Sequence, residues 1–166
     1  MEKMTTLKQQ LAQLRLNHIK EEVEQIIHQA GMDQLSLTDY SMRLLEKEII
    51  YRKNKSIQAK LKRAKLPAAH DLDQFDFTHQ NGVTKDQLDQ LRELLWLDQH
   101  YNLLLMGPSG TGKSFLAAGL VYDAICQGYT ALFRTAQQLI DTLTQRHHPQ
   151  RRSGLQAHLL MSCACY

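Results

Sequence analysis

The chain has 166 residues, 43% hydrophobic and 22% charged, a composition that fits one ordinary soluble domain, or a small module joined to part of a larger one. It contains no run near the roughly 18 apolar residues that span a membrane. The opening Met1-Glu2-Lys3-Met4-Thr5 lacks a signal peptide's apolar core, and Cys126, Cys163 and Cys165 have neither zinc nor disulfide spacing. A reducing cytoplasm is the expected location. The net charge of +3 hides a segregation of sign: residues 1–65 carry 13 basic and 8 acidic side chains, residues 66–100 carry 2 and 7, and residues 101–166 carry 5 and 2.

In chain order, residues 5–29 read as one amphipathic helix, with Leu7, Leu11, Leu14, Leu16, Ile19, Val23 and Ile26 at spacings of three and four and Gly31 as its stop. A second helix begins at Ser36, which with Asp39 matches a capping pattern, and it runs to Leu66 before Pro67. Its expected buried stripe is Leu44, Leu45, Ile49 and Ile50. Its last stretch holds seven basic residues and no acid: Arg52, Lys53, Lys55, Lys60, Lys62, Arg63 and Lys65. Such clustering favours contact with a nucleic-acid backbone by counterion release. The same charges also suit a solvated helix end, where cations complement the carbonyl terminus.

Residues 67–83 read as an acidic, turn-rich linker in which Phe75 and Phe77 alternate with acids and are placed to cover the edge of the following domain. Asp71, Asp73 and Asp76 fall short of a calcium-type ligand set and fit a solvated linker better. Asn81-Gly82 marks a turn, and Thr84 with Gln87 opens a helix through Leu88, Leu91, Leu95 and Trp96 to about Gln99.

Next comes the motif with the most chemistry. Gly107-Pro108-Ser109-Gly110-Thr111-Gly112-Lys113-Ser114 satisfies G-x-x-x-x-G-K-[ST], between the apolar run Leu103–Met106 and the helical Phe115-Leu116-Ala117-Ala118-Gly119-Leu120-Val121. Strand, glycine turn, helix is the context that makes this pattern a phosphate cradle. The turn aims backbone N–H groups at one phosphate, and the helix adds its positive end. Lys113 then reaches the β- and γ-phosphates, and the Ser114 hydroxyl holds Mg²⁺. Gly128 ends the helix, Tyr129–Arg134 supplies a second strand, and Ala136–Thr144 a second helix. The expected fold is therefore α/β: a P-loop NTPase parallel-sheet core, incomplete, behind a helical module. The expected domains are 1–66, 67–83, 84–146 and an atypical tail, 147–166.

Hydrolysis asks for more than the cradle. An acid closing a second apolar strand helps to hold Mg²⁺, and a neighbouring group orients the attacking water. No Asp or Glu follows Asp141, and the one later apolar run, Leu159-Leu160-Met161, can add a strand but meets no carboxylate. Two readings stand: a native tail with ATP bound but poorly hydrolysed, or an interrupted reading frame. The second is favoured, because a sheet of so few strands leaves apolar surface uncovered.

Several segments in order resemble the IstB-like ATP-binding proteins, AAA+ transposition helpers of bacterial insertion sequences that are similar to DnaC-type helicase loaders. They are Leu11–Leu16, Leu61-Lys62-Arg63-Ala64-Lys65-Leu66-Pro67, Leu72-Asp73-Gln74-Phe75-Asp76-Phe77, Asn102–Ser114 and Gly128-Tyr129. The resemblance covers about residues 7–146. It implies ATP with Mg²⁺ at Gly107–Ser114, double-stranded DNA and a transposase as partners, and self-assembly. The family's later acids, polar sensor and arginine have no matching positions, so no catalytic residue is carried over. The chain is thus expected to be a C-terminally truncated copy with impaired hydrolysis. A helicase loader is the near alternative. A small-metabolite kinase, with Arg134, Arg146, Arg151 and Arg152 as its only lid candidates, fits the helical N-terminal module poorly.

Overall fold

Residues 5–29, expected as one helix, fold as two: α1 (Glu2–Gln13) and α2 (Asn17–Met32). The break needs no glycine. Arg15 takes a left-handed φ of 57°, and the bonds Leu16 N–H to Leu11 O (2.9 Å) and Arg15 N–H to Ala12 O (3.0 Å) close α1 in a Schellman turn. Leu11 and Leu16, the two apolar ends of that turn, join the same small core as Ile19 and Val23. Gln34 repeats the device after α2, with φ of 49° and Leu35 N–H bonded to Ala30 O, so the helix continues through Gly31 instead of stopping there. This computed structural model describes residues 2–77, 82–145 and 159–161. The expectations for Asn81, for residues 146–158 and for 162–166 lie outside them.

Helix α3 (Leu37–Ala64) starts as expected: the Ser36 hydroxyl accepts from Asp39 N–H at 3.1 Å and donates to the Asp39 carboxylate at 2.6 Å. Its expected apolar stripe is corrected. Leu44 packs on the Leu11–Ile19–Val23 core, but Leu45, Ile49 (65% exposed) and Ile50 face outward together with Met42. The position that goes inward is Glu48, which is 4% exposed. Its carboxylate accepts from Ile19 N–H (3.4 Å) at the start of α2, where Leu16 offers no side-chain cap, and from Arg52 Nε (2.8 Å). A buried anion at a helix N-terminus meets both the dipole and an orphan N–H. The periodicity found the helix and misjudged its face by one neighbour, because a charged residue holds the inward position.

By contacts the chain divides into residues 1–56 and 57–166, with the division inside α3. Ile57, Leu61, Ala64 and Leu66, which the sequence reading puts in the helical module, pack into the second unit's core.

That core is built on α6 (Lys113–Cys126), where Leu116 to Val121, Ala124 and Ile125 are buried. Around it lie Ala64, Leu72, Leu88, Leu94 and Ala131. The helix expected from Thr84 to Gln99 splits into α4 (Lys85–Arg92) and α5 (Leu95–Asp98) because the buried Leu94 adopts φ of 60°. The predicted capping box is present: Thr84 and Gln87 bond reciprocally. Gly128, with φ of 103°, ends α6 as predicted, through Gly128 N–H to Ile125 O and Tyr129 N–H to Ala124 O. Strand β1 (Ala131–Phe133) follows, then α7 (Ala136–Gln145), which Thr135 and Gln138 cap. Strand β2 (Leu159–Met161) runs parallel to β1, with Ala131 opposite Leu159 and Phe133 opposite Met161.

The strand expected at Leu103–Met106 does not form among the described residues. The segment keeps a strand's alternation, with Leu103 and Leu105 against the core and Leu104 (76%) and Met106 (82%) exposed. A strand also needs a ladder of hydrogen bonds, and the described sheet contains β1 and β2 alone.

Candidate functional site

The eight residues 107–114 form a loop that leads straight into the first turn of α6. Gly110 (φ 82°) and Gly112 (φ 76°) hold left-handed angles that a side chain would resist, so the loop curls back and Gly112 caps α6. Gly112 O accepts from Leu116 N–H at 2.9 Å, so the helix is hydrogen-bonded from its first turn. Pro108 O is the hub of the loop: it accepts from Thr111 Oγ1 at 2.9 Å and from Lys113 Nζ at 2.6 Å. The ammonium is thus folded over its own loop, and turning it outward delivers a cation to whatever anion the N–H groups hold. Ser114 is the second residue of α6, exposed beside Lys113. The arrangement suits a polyphosphate: N–H donors at a helix start, one cation and one hydroxyl.

Behind the loop, residues expected to be a solvated linker are docked along α6. His70 meets the Tyr122 ring (centroids 5.0 Å apart), Leu72 is buried against Gly119, and Phe75 stacks on Phe115 (6.0 Å) and packs edge-on to Phe77 (4.9 Å). The order 70, 72, 75 against 122, 119, 115 lays the segment antiparallel to the helix and brings the two phenylalanines to its N-terminal end, beside the loop 107–114. Gly119 permits this approach. A Cβ there would overlap the Leu72 side chain and lie 2.9 Å from His70 O. Asp71 caps the short 3-10 turn Leu72–Gln74, and Arg92 fastens that turn, giving Nη1 to Asp73 (2.7 Å) and Nε to Asp123 of α6 (2.8 Å). The Asp73 hydrogen bond, with that of Asp123, holds the Arg92 guanidinium above its ordinary value against the opposing effect of burial. The placement of Phe75 and Phe77 agrees with the sequence expectation. Nothing in the local sequence marks Arg92, whereas a glycine inside an apolar helix, as at Gly119, signals close packing.

The seven basic residues separate by what they touch. In the first unit Arg52 is committed to Glu48 and, through Nη2, to Arg15 O (2.9 Å), Lys55 lies over the Tyr51 ring (5.7 Å), and Lys53 is exposed. In the second unit Lys60 Nζ donates to Gly128 O (2.6 Å), while Lys62, Arg63 and Lys65 are exposed. No group of three His, Cys, Asp or Glu side chains fit to hold a metal occurs among the described residues. Asp141, the last acid in the sequence, accepts from Gln137 on α7 (2.9 Å). A largely apolar cavity of about 150 Å³, lined in part by Leu97, His100, Ala124 and Tyr129, lies by the C-terminal half of α6 and includes no loop residue. No described helix is long and apolar enough to cross a membrane.

Comparison with known proteins gives this site a context. The family model of the IstB-like ATP binding protein matches residues 9–164, which takes in the tail as well as the loop. An IS21-like insertion-sequence ATP-binding protein of Bacteroides fragilis is 45% identical over 130 residues, or 78% of this chain and 49% of that protein. A second, from strain YCH46 of that species, is 37% identical over 143 residues (84% and 72%). An IS5376 ATP-binding protein of Geobacillus stearothermophilus is 38% identical over 114 residues (69% and 45%). The chain spans about half the length of the first and third of these relatives. With a match over nearly its whole length and a phosphate-type loop in helical context, the chain belongs to the IstB-like ATP-binding protein family.

Proposed function

We propose that this chain is a cytoplasmic ATP-binding helper of DNA transposition. The observation that carries the reading is the loop 107–114 at the start of α6, with Lys113 held on Pro108 O and able to swing outward. Backbone N–H groups of Gly107–Ser114 would hold the phosphates, Lys113 the β- and γ-oxygens, and Ser114 a Mg²⁺ ion shared with those phosphates. Bound Mg²⁺ would neutralise phosphate charge. The parallel pair β1–β2 and the strand-like alternation of burial along Leu103–Met106 support an AAA+-type parallel-sheet core, incomplete among the described residues. Slow hydrolysis by residues 1–166 taken alone is part of the same proposal.

The relatives' names place them in insertion sequences, which supports double-stranded DNA and a transposase as partners over a replicative helicase. Self-assembly belongs to the same reading. The exposed Lys62, Arg63 and Lys65 are the proposed backbone contacts, joined by Lys53 and Lys55, whereas Arg52 and Lys60 serve the fold first.

Two measurements test this. ATP binding by calorimetry should be present and should fall by about 10- to 100-fold in Lys113→Ala, the loss of one charge-assisted contact. Turnover at ordinary P-loop rates, abolished in that variant, would refute slow hydrolysis. Double-stranded DNA should bind with a salt dependence whose slope drops by about 2 to 3 when Lys62, Arg63 and Lys65 become Gln. An unchanged slope removes the DNA assignment.

A further inference from the structure

The docked segment 70–77 joins the two surfaces that the proposed function uses. Residues 65–69 join its N-terminal side to the end of α3, where Ala64 is fully buried in the same core as Leu72 and α6, while Lys62, Arg63 and Lys65 are exposed. Its C-terminal side ends at Phe75 and Phe77, against Phe115, the residue after Ser114. Between them it is fixed twice, by Leu72 on the bare backbone of Gly119 and by the Arg92 bridge from Asp73 to Asp123. Nothing in phosphate binding itself requires a chain segment pressed so closely along the cradle's helix.

We propose that this segment is a coupling strap, through which a nucleoside triphosphate on the loop 107–114 changes the nucleic-acid affinity of Lys62, Arg63 and Lys65. The inference rests on the reading of ATP and DNA given above. The two-state element is the loop itself. Lys113, in the first turn of α6, is bonded to Pro108 O, and a phosphate on the loop draws the ammonium off that carbonyl, so the free and bound loops differ beside Phe115. Phe115 belongs to that turn, so the ring stack with Phe75 shifts with it. Leu72 on Gly119 and Arg92 across Asp73 and Asp123 make the strap rigid enough to carry the shift to the end of α3 instead of absorbing it. By linkage, DNA must then change ATP affinity by the same factor.

The test uses the full chain, a fluorescent 20-base-pair DNA duplex, and a non-hydrolysable ATP analogue with Mg²⁺. DNA affinity at fixed salt should differ about 5- to 150-fold with and without the analogue, the usual size of such coupling. Phe75→Leu, which keeps apolar bulk but removes the ring stack, should bind analogue and DNA each within about twofold of the parent while the coupling falls below about threefold. Arg92→Gln should behave likewise, and guards against a folding defect in the first variant. Coupling that is absent from the parent, or that survives in both variants, overturns the strap.

A second readout separates the strap from the DNA reading. The analogue should change amide hydrogen exchange at residues 70–77 in the parent and not in Phe75→Leu. If the parent binds no DNA but this exchange response appears, the DNA assignment fails and the strap's link to the phosphate loop stands. If the exchange is insensitive to the analogue although the analogue binds, the strap is refuted whatever DNA does.

Discussion

Helices α3 and α6 are both rich in apolar side chains and meet opposite fates. Along α6, Leu116 to Val121, Ala124 and Ile125 are buried on all sides, because small residues (Ala117, Ala118, Gly119, Ala124) let neighbouring segments close in. Along the first-unit part of α3, Glu48 is the one buried residue, while Met42, Leu45, Ile49 and Ile50 stay exposed. Apolar content alone does not place a helix in a core. What decides is whether the opposite face presents matching partners, and in α3 the partners are a backbone N–H and a guanidinium, so a carboxylate turns inward.

The largest expected effects test that contrast directly. Leu120→Ala removes a fully buried side chain from α6 and should destabilise the second unit by about 2 to 5 kcal/mol in urea unfolding. Ile49→Ala, equally drastic on paper, should change stability by no more than about 0.5 kcal/mol, since that side chain is already in water. A loss for Ile49→Ala comparable to that for Leu120→Ala would mean that the exposed stripe is covered in solution.

The next effect belongs to Glu48. Its removal in Glu48→Ala leaves Ile19 N–H without an acceptor and Arg52 without its carboxylate, and should cost about 1 to 3 kcal/mol. Glu46→Ala, two residues away on the exposed side, should be neutral within about 0.5 kcal/mol. Equal effects of the two would make the carboxylate's inward position irrelevant to stability.

These cases show what the sequence could and could not disclose. The glycine turn 107–112, the Thr84–Gln87 box, the Ser36 cap and the Gly128 stop are legible because each rests on local chemistry at fixed spacing. The breaks at Arg15, Gln34 and Leu94 were not, because ordinary residues there take left-handed angles that favour glycine, and tertiary packing imposes them. Leu103–Met106 has a strand's pattern without a strand neighbour among the described residues, a property no single segment can reveal. The docking of residues 70–77 was half legible: Phe75 and Phe77 marked a surface to be covered, but the acids around them suggested solvent, and Arg92, distant in sequence, is what neutralises Asp73.

Glycine gives a smaller and sharper test, because one substitution should have opposite signs in the two units. In α6, Gly119→Ala must push Leu72 and the His70 carbonyl away, at about 1 to 3 kcal/mol, and should expose residues 67–77 to limited proteolysis. In α2, Gly31 has open space around its missing Cβ and no left-handed angle, so Gly31→Ala should stabilise by about 0.5 kcal/mol through helix propensity. Should Gly119→Ala stabilise too, the strap is not pressed against α6.

The smallest effect is one of pH and belongs to the first unit. Lys47 Nζ donates to the Glu22 carboxylate at 2.8 Å, and this bond holds Glu22 below its ordinary value of 4.5, with burial acting against it. A carboxyl depressed in the folded state stabilises fully above that ordinary value, and the contribution disappears as pH falls through the folded value. Both side chains are over a third exposed, so screening leaves about 0.5 kcal/mol. Unfolding at pH 7 should therefore show Glu22→Gln slightly less stable than the parent, and the two should converge as pH falls through the folded value and the parent's carboxylate is protonated. A gap that widens on acidification would mean that the Glu22 carboxylate opposes folding, and that the ion pairs of the helical unit are not part of what orders α2 against α3.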